Sequence, residues 1–505
     1  MKAIKEIKTE GGWIRGKACE NGYAFLGIPY AAPPVGELRW RHPQPVIPWK
    51  GVRECFEFGS PCCQAAGQMV PGGNPEDKGM NIEGSEDCLT INVWTPDLNV
   101  EKLPVMVWIH GGAYCCGSGA GKAGQPGTFL KHGIIYVTFN YRLGVLGFFA
   151  HPELSAENKH HVSGNYAHYD QLAAVRWVKR NIAAFGGDPE NITVGGCSAG
   201  SGSTQVLTAS PLADGLFAKA INMSGLGMNA SSYPEKDILR TMKETEARGE
   251  EFMNLLGCKN IAEMRALPYE ELIRLPESQF RRKYHYGTTM GTCADGYLLY
   301  EDFKEANEKL AVMNIPRLIG NTNDEGGGFI IHLGKAVFVE NSRKIFGDSL
   351  EEYLKLCLPE EDSPIVSAAR RTHIQLAGAK VFAEMSALAG RAPVYVYDFM
   401  RKSPEKGIAH HGLDTSYLVG VQDQIPGSTE DDDKTAAIQQ EYWCNFIRTG
   451  NPNGEGLPEW TPYTAENRKL AYIDVNTQVL SDEEAEDECL TFARKYLERK
   501  LGVNC

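Results

Sequence analysis

A series of short apolar runs separated by longer segments is what most limits the fold. LPVMVWIH (103–110), GIIYVTFN (133–140), NITVGG (191–196) and FAKAINMSG (217–225) are each short enough for a strand buried on both faces. Such strands read as continuous apolar runs and belong to parallel sheets. Between the second and third runs, YDQLAAVRWVKRNIAAF (169–185) repeats apolar residues at Leu172, Val175, Val178 and Ile182. That is the spacing of one helix face, and FGGDP (185–189) stops it with glycine and proline. Strand, helix and strand in this order predict an α/β fold, a large mostly parallel sheet flanked by helices.

The segments around these runs are more varied. IKTEGGWIRGKACENGYAFLG (7–27) predicts opening hairpins, and residues 64–84 a surface loop rich in glycine, proline and asparagine. From about 235 to 390 the pattern is mostly helical, interrupted by the strand-like IPRLIGNT (315–322). APVYVYDFM (392–400) returns to strand, and DEEAEDECLTFARKYLERKL (482–501) closes with an amphipathic helix. The acidic run EDDDK (430–434) reads as a solvated helix start.

Charge and cysteine usage exclude several classes of function. The formal net charge is −13 with no long Lys/Arg block, which argues against nucleic acid or an anionic membrane as partner. The N-terminal MKAIKEIKTEGGW has no apolar core for a signal peptide, and no apolar run of about 18 residues occurs. The 14 cysteines are then expected as reduced thiols in the cytoplasm. Neither Cys62-Cys63 nor Cys115-Cys116 has the spacing of a zinc site, and His160, His161 and His168 lack a usual ligand spacing.

GGCSAG (195–200) supplies the chemistry. It contains G-x-S-x-G as Gly196, Ser198 and Gly200, after an apolar run and before helix-compatible residues. In that setting a serine is forced into a tight turn whose neighbours must be small. A phosphate loop would need G-K-[ST], which is absent, and a plain packing turn is the other alternative. WIHGGAY (108–114) ends an apolar run in two glycines, where backbone N–H groups can approach a substrate. Gly112 and Ala113 are the candidate oxyanion donors there, with Ala199 after the serine as the third. His110 reads as structural. GIAHHGLDTSYLVG (407–420) offers His410 or His411 as base, and the end of IPRLIGNTNDEGGGF (315–329) offers Asp324 or Glu325 as acid.

Taken together, these segments resemble type-B carboxylesterases of the α/β-hydrolase fold, the group that includes cholinesterases and bacterial p-nitrobenzyl esterases. FLGIPYAAPPVGELRWRHPQP (25–45), EDCLTINVW (86–94), NYRLGVLGFF (140–149), GNYAHYDQLAAVRWVKRNIAAFGGDPENIT (164–193) and YWCNFIRTGNPN (442–453) carry the resemblance in family order. It implies one domain over 1–505 with a mainly helical insert at about 235–390. It implies Ser198 as nucleophile, Glu325 rather than Asp324 as acid, and His411 rather than His410 as base. Gly112, Ala113 and Ala199 take the oxyanion positions. It also implies structural ion pairs Arg39–Glu86 and Arg142–Asp170.

Three positions depart from the family, one of them Ala113 in place of the last glycine of the oxyanion loop. Cys197 stands where a glutamate usually precedes the serine, and Asp414 stands where a glutamate usually follows the histidine loop. Cys62 and Cys88 match a pair that the family often bridges, and without an export signal both are expected as thiols. The implied activity is hydrolysis of small-molecule carboxylic esters through an acyl-enzyme, with aryl or hydroxycinnamoyl esters as a compatible class. It calls for no metal or organic cofactor. A catalytically inactive adhesion or binding member of the same fold, and an amide or thioester hydrolase, are the alternatives.

Overall fold

The apolar runs become strands. The computed structural model describes residues 5–65, 82–121, 124–228, 241–274, 291–325, 335–357, 368–481 and 488–502. Two compact units divide the chain: Met1–Ile192 with Ser210–Phe217 and Asp237–Asp302, and Thr193–Ala209 with Ala218–Lys236 and Phe303–Cys505.

In the first unit, β1 (Lys17–Cys19), β2 (Gly22–Pro29), β3 (Thr90–Thr95), β4 (Leu103–Ile109) and β5 (Ile135–Phe139) lie in the order β1-β2-β3-β5-β4. The pairings are antiparallel as far as β3–β5, and β5 pairs β4 in parallel. The opening hairpins form as expected: Glu6–Thr9 pairs with Gly12–Arg15, and β1 with β2. Helix α1 (Tyr166–Asn181) buries Leu172, Val175 and Val178 and passes into a 3-10 turn, Ile182–Phe185. Gly186, at φ +88, ends it.

Strand β6 (Gly187–Cys197) starts in the first unit and ends in the second. It begins four residues before the apolar run. Asp188, Pro189 and Glu190 are partly or fully exposed, so only the buried half of the strand is apolar. In the second unit it is followed by α2 (Ala199–Ala209), β7 (Lys219–Met223), β8 (Arg317–Thr322), α3 (Ala368–Leu388) and β9 (Val394–Phe399). Then come α4 (Leu413–Leu418), α5 (Glu430–Thr449), β10 (Lys469–Ile473), β11 (Gln478–Ser481) and α6 (Glu488–Leu501). The strands β6 to β10 run parallel in chain order, and β11 closes the edge antiparallel. Every residue of β7, β8 and β9 is buried, in keeping with the apolar run at 217–225 and the strand-like segments at 315–322 and 392–400. The expected surface loop lies outside the described residues over 66–81, as do 235–240, 275–290, 326–334 and 358–367 of the expected helical stretch and 482–487 of the expected last helix.

Buried charges tie loops to this frame. Arg142 reaches Asp170 on α1 with Nε and Nη2, both at 2.7 Å, and neither side chain is accessible to water. Arg39 makes the same two-pronged contact with Glu86 at 2.7 and 2.6 Å, and its third nitrogen bonds the carbonyls of Arg265 and Leu267. Both pairs implied by the resemblance are therefore present. Such pairs fix geometry more than they add stability, because desolvation offsets the attraction until one partner is removed. Cys62 and Cys88 are both thiols, and they lie against each other.

The acidic run does start a helix, α5, but it is not simply solvated. Asp432 is fully buried. It forms a capping box with Thr429 and accepts from Arg401 Nε at 2.8 Å and Tyr417 Oη at 2.5 Å. The Thr-x-x-Asp spacing of a cap is the signal within the run.

Candidate active site

Ser198 stands where β6 gives way to α2, at φ +60. A non-glycine residue held in the left-handed region costs about 1–3 kcal/mol, so the surroundings must enforce it. The Ser198 N–H donates to the Met223 carbonyl at 3.1 Å, and the Ser198 carbonyl accepts the Gly202 N–H at 3.0 Å. A Cβ on Gly225 would stand 3.0 Å from Ser201 Cβ and 3.1 Å from the Ser198 oxygen, so glycine lets the exit of β7 pack closely on the turn. The unpaired N–H groups of the first turn of α2, beginning with Ala199, give this end of the helix its positive character.

Glu325 follows the end of β8 and is buried. Its Oε1 accepts from the Thr322 N–H at 2.9 Å and the Thr322 hydroxyl at 2.8 Å, while its own N–H donates to Thr372 Oγ1 on α3 at 3.0 Å. Its Oε2 takes the imidazole Nδ1 of His411 in a short hydrogen bond. Burial by itself raises the carboxyl, but the charge and hydrogen bond of His411 outweigh it. The group lies below its ordinary value and is ionised at neutral pH. With Nδ1–H donating to the carboxylate, the network assigns Nε2 as the proton acceptor.

The loop after β9 delivers the histidine. The Asp324 N–H donates to the Ala409 carbonyl at 3.0 Å, the Leu413 N–H to the His410 carbonyl at 3.0 Å, and Gly412 turns the chain at φ +73 into α4. Of the two neighbours, His411 meets the acid, while His410 Nδ1 faces the His411 carbonyl at 3.1 Å. Asp324 Oδ1 is buried without a hydrogen-bond partner. Ser198, Glu325 and His411 all belong to the second unit. Among the described residues the Ser198 hydroxyl makes no hydrogen bond. Links of this kind are often loose without substrate and tighten when it binds.

Cys197 is buried beneath the histidine loop, its Sγ 3.9 Å from where a Cβ on Gly412 would stand. Burial first, and then Asp414, push its thiol well above the ordinary value, so it stays protonated and is a poor nucleophile. Ser224, close to both Cys197 and Glu325, favours their charged forms, although its hydroxyl makes no geometrically sound hydrogen bond.

Behind the histidine, Asp414 is fully buried. It accepts from Tyr397 Oη at 2.8 Å and from the Thr415 N–H at 2.8 Å. The tyrosine reaches it because Gly320 leaves room: a Cβ there would lie 2.3 Å from the ring. Burial, and next the Glu325 charge, push the Asp414 carboxyl up to about 7. The folded chain therefore binds this proton more tightly than the unfolded one. The stability it contributes is complete below the ordinary aspartate range and is lost as pH rises towards 7. Asp414→Asn removes that dependence. Between pH 5 and 8 the wild type should lose about 2–3 kcal/mol relative to the variant, read from paired denaturation curves. Curves that stay parallel over this range would contradict a protonated Asp414.

The loop carrying Gly112 and Ala113 belongs to the first unit. His110 is buried, stacks on Tyr141 at 4.3 Å, and contacts the Gly111 carbonyl through Nδ1 at 2.8 Å. Burial lowers it to about 4, so it is a neutral structural residue. Ala113 is exposed and Gly112 half-buried. Of the three neighbouring histidines, His168 is buried between Gln171 and Thr292, and His160 stacks on Tyr297.

Thr322, Thr372 and Tyr397 had escaped the sequence reading. Thr322 ends its strand three residues before Glu325, and that short spacing is the one local signal of their contact. Thr372 and Tyr397 reach the site only through tertiary packing.

Residues 3–492 match the Carboxylesterase family. The para-nitrobenzyl esterase of Bacillus subtilis is 32% identical, over 97% of this chain and 99% of its own. The fumonisin B1 esterase of Sphingopyxis macrogoltabida is 39% identical, over 91% of this chain and 84% of its own. A solved PNB esterase structure superposes with a TM-score of 0.82 at 29% identity, covering 98% of this chain and all of the other. A carboxylesterase of Geobacillus stearothermophilus gives 0.76 at 32% identity, over 94% and 98%. With an ionised carboxylate orienting an imidazole in a chain matched end to end by esterases, this protein belongs to the carboxylesterase family: it is a carboxylic ester hydrolase with the α/β-hydrolase fold.

Proposed function

We propose that the chain hydrolyses esters through an acyl-enzyme on Ser198. His411 takes the hydroxyl proton as Ser198 Oγ attacks the carbonyl carbon. Glu325 holds the imidazole in the productive tautomer and stabilises its charged form. The oxyanion is stabilised by the N–H groups of Gly112, Ala113 and Ala199, each such donor contributing about 3–4 kcal/mol to the barrier. His411 returns the proton to the leaving alcohol, and water repeats the sequence on the acyl-enzyme. The observation that carries this reading is the His411–Glu325 hydrogen bond, formed by a buried carboxylate that stays ionised.

The substrate class extends to esters bearing an aryl group, including hydroxycinnamoyl esters. The likeness to a protein named para-nitrobenzyl esterase supports it. A panel of p-nitrophenyl, benzyl and hydroxycinnamoyl esters, each beside its matched amide, tests the proposal. A burst of p-nitrophenol approaching one per chain, with esters far faster than amides, is the expected result. Equal rates on amides, or no turnover of any ester, would contradict it.

A further inference from the structure

The loop after β4 carries two adjacent cysteines that ester hydrolysis does not call for. Their placement is specific. Gly112 has φ +114, and a Cβ there would stand 2.1 Å from the Cys116 carbonyl oxygen, so the chain doubles back at this point. Ala113 and Tyr114 follow at φ +52 and +61, the left-handed pair of a type I′ turn. The Gly112 carbonyl accepts the N–H of Cys115 at 3.0 Å and of Cys116 at 3.1 Å. Both thiols close on the same oxygen, each Sγ 3.4 Å from it. The two sulfurs therefore lie within twice that distance of each other, and both side chains are half-buried, within reach of a reagent.

The Gly112 carbonyl and the Ala113 N–H are two ends of one planar trans peptide, so they point in opposite directions. Four donors gathered on the carbonyl therefore set the direction of the N–H. In the function proposed above, that N–H is an oxyanion donor.

We propose that Cys115 and Cys116 form a dithiol site in this loop, which takes one trivalent arsenical across its two sulfurs and thereby shuts down ester hydrolysis. The shutdown rests on the reading of Ala113 as an oxyanion donor; the dithiol site itself does not. An arsenoxide, R–As=O, reacts with both thiols: two S–H bonds break, two As–S bonds form, and the two protons leave with the oxygen as water. Arsenic stays trivalent, and no oxidant is needed. Ring closure draws both sulfurs onto one atom, removes both S–H donors from the Gly112 carbonyl and frees the peptide plane to rotate. The other adjacent pair, Cys62 and Cys63, is only 1% and 2% exposed and is shielded from the reagent.

Phenylarsine oxide titrated into the intact enzyme, with p-nitrophenyl ester turnover and intact mass followed together, tests this. One arsenical per chain should bind as turnover falls. A dithiol such as 2,3-dimercaptopropanol should reverse both changes, and 2-mercaptoethanol at equal thiol concentration should reverse neither. C115A/C116A should lose about tenfold in kcat with KM little changed, because the donor is misaligned rather than removed. C115S/C116S should recover part of that loss through its hydroxyls, and its turnover should resist the arsenical. Inactivation of C115S/C116S at the wild-type dose, or a bridged wild-type enzyme with intact turnover, would overturn the proposal. Full turnover in Ser198→Ala overturns the hydrolase reading instead, and the mass titration still reports on the dithiol site.

Discussion

Ser198→Ala is expected to lower kcat/KM for a p-nitrophenyl ester on the order of 10⁴- to 10⁶-fold while leaving the fold intact. The serine sits in a turn fixed by two backbone hydrogen bonds, its N–H to the Met223 carbonyl and the Gly202 N–H to its own carbonyl, neither of which uses its side chain. Alanine keeps the Cβ that the turn already accommodates at positive φ, so thermal stability should change little. What disappears is the only atom in this turn that can accept an acyl group, because the neighbouring Cys197 is buried and held protonated. The residual rate should come from the oxyanion donors and substrate binding alone. Steady-state kinetics beside a melting curve checks both halves, and a loss smaller than tenfold would remove Ser198 from the mechanism.

Glu325→Gln is expected to lower kcat on the order of 10⁴-fold through the tautomer of His411. A glutamine amide can turn its N–H₂ towards Nδ1. The imidazole would then carry its proton on Nε2, where a base is needed. The Thr322 donors still find an oxygen on the other side of the amide, so the substitution is nearly isosteric. The expected signature is a large fall in kcat, a small change in KM and little loss of stability. Retention of turnover within tenfold would show that Glu325 does not orient the base.

The parts of the fold that could be read in the sequence were those whose burial is uniform. β7, β8 and β9 are buried along their whole length, and each stood out as an apolar or strand-like segment. The start of β6 and the edge strand β11 are partly or fully exposed, so hydropathy carried no sign of them. The tight turn at Ser198, the proposed nucleophile, was legible because its steric demands select small residues in a recognisable pattern. The proposed base was not: His410 and His411 are the same residue type, one position apart, and only the family pattern chose between them. The proposed acid posed the same problem with Asp324 and Glu325. The hydrogen bond between His411 and Glu325 is a fact of tertiary packing that no local pattern encodes. The hydrogen-bond partners of Glu325 and of the aspartate behind the histidine come from β8, α3 and β9. Sequence spacing holds no trace of those meetings.

Acylation of Ser198 is open to one decisive measurement. Enzyme quenched in acid during turnover of a slowly deacylated p-nitrophenyl ester, then digested and mapped by mass spectrometry, should carry one acyl group per chain on the peptide containing Ser198. The Ser198→Ala protein treated alike should carry none. An acyl group on Cys197 or elsewhere in the chain, or full acylation of the alanine variant, would contradict the mechanism proposed here.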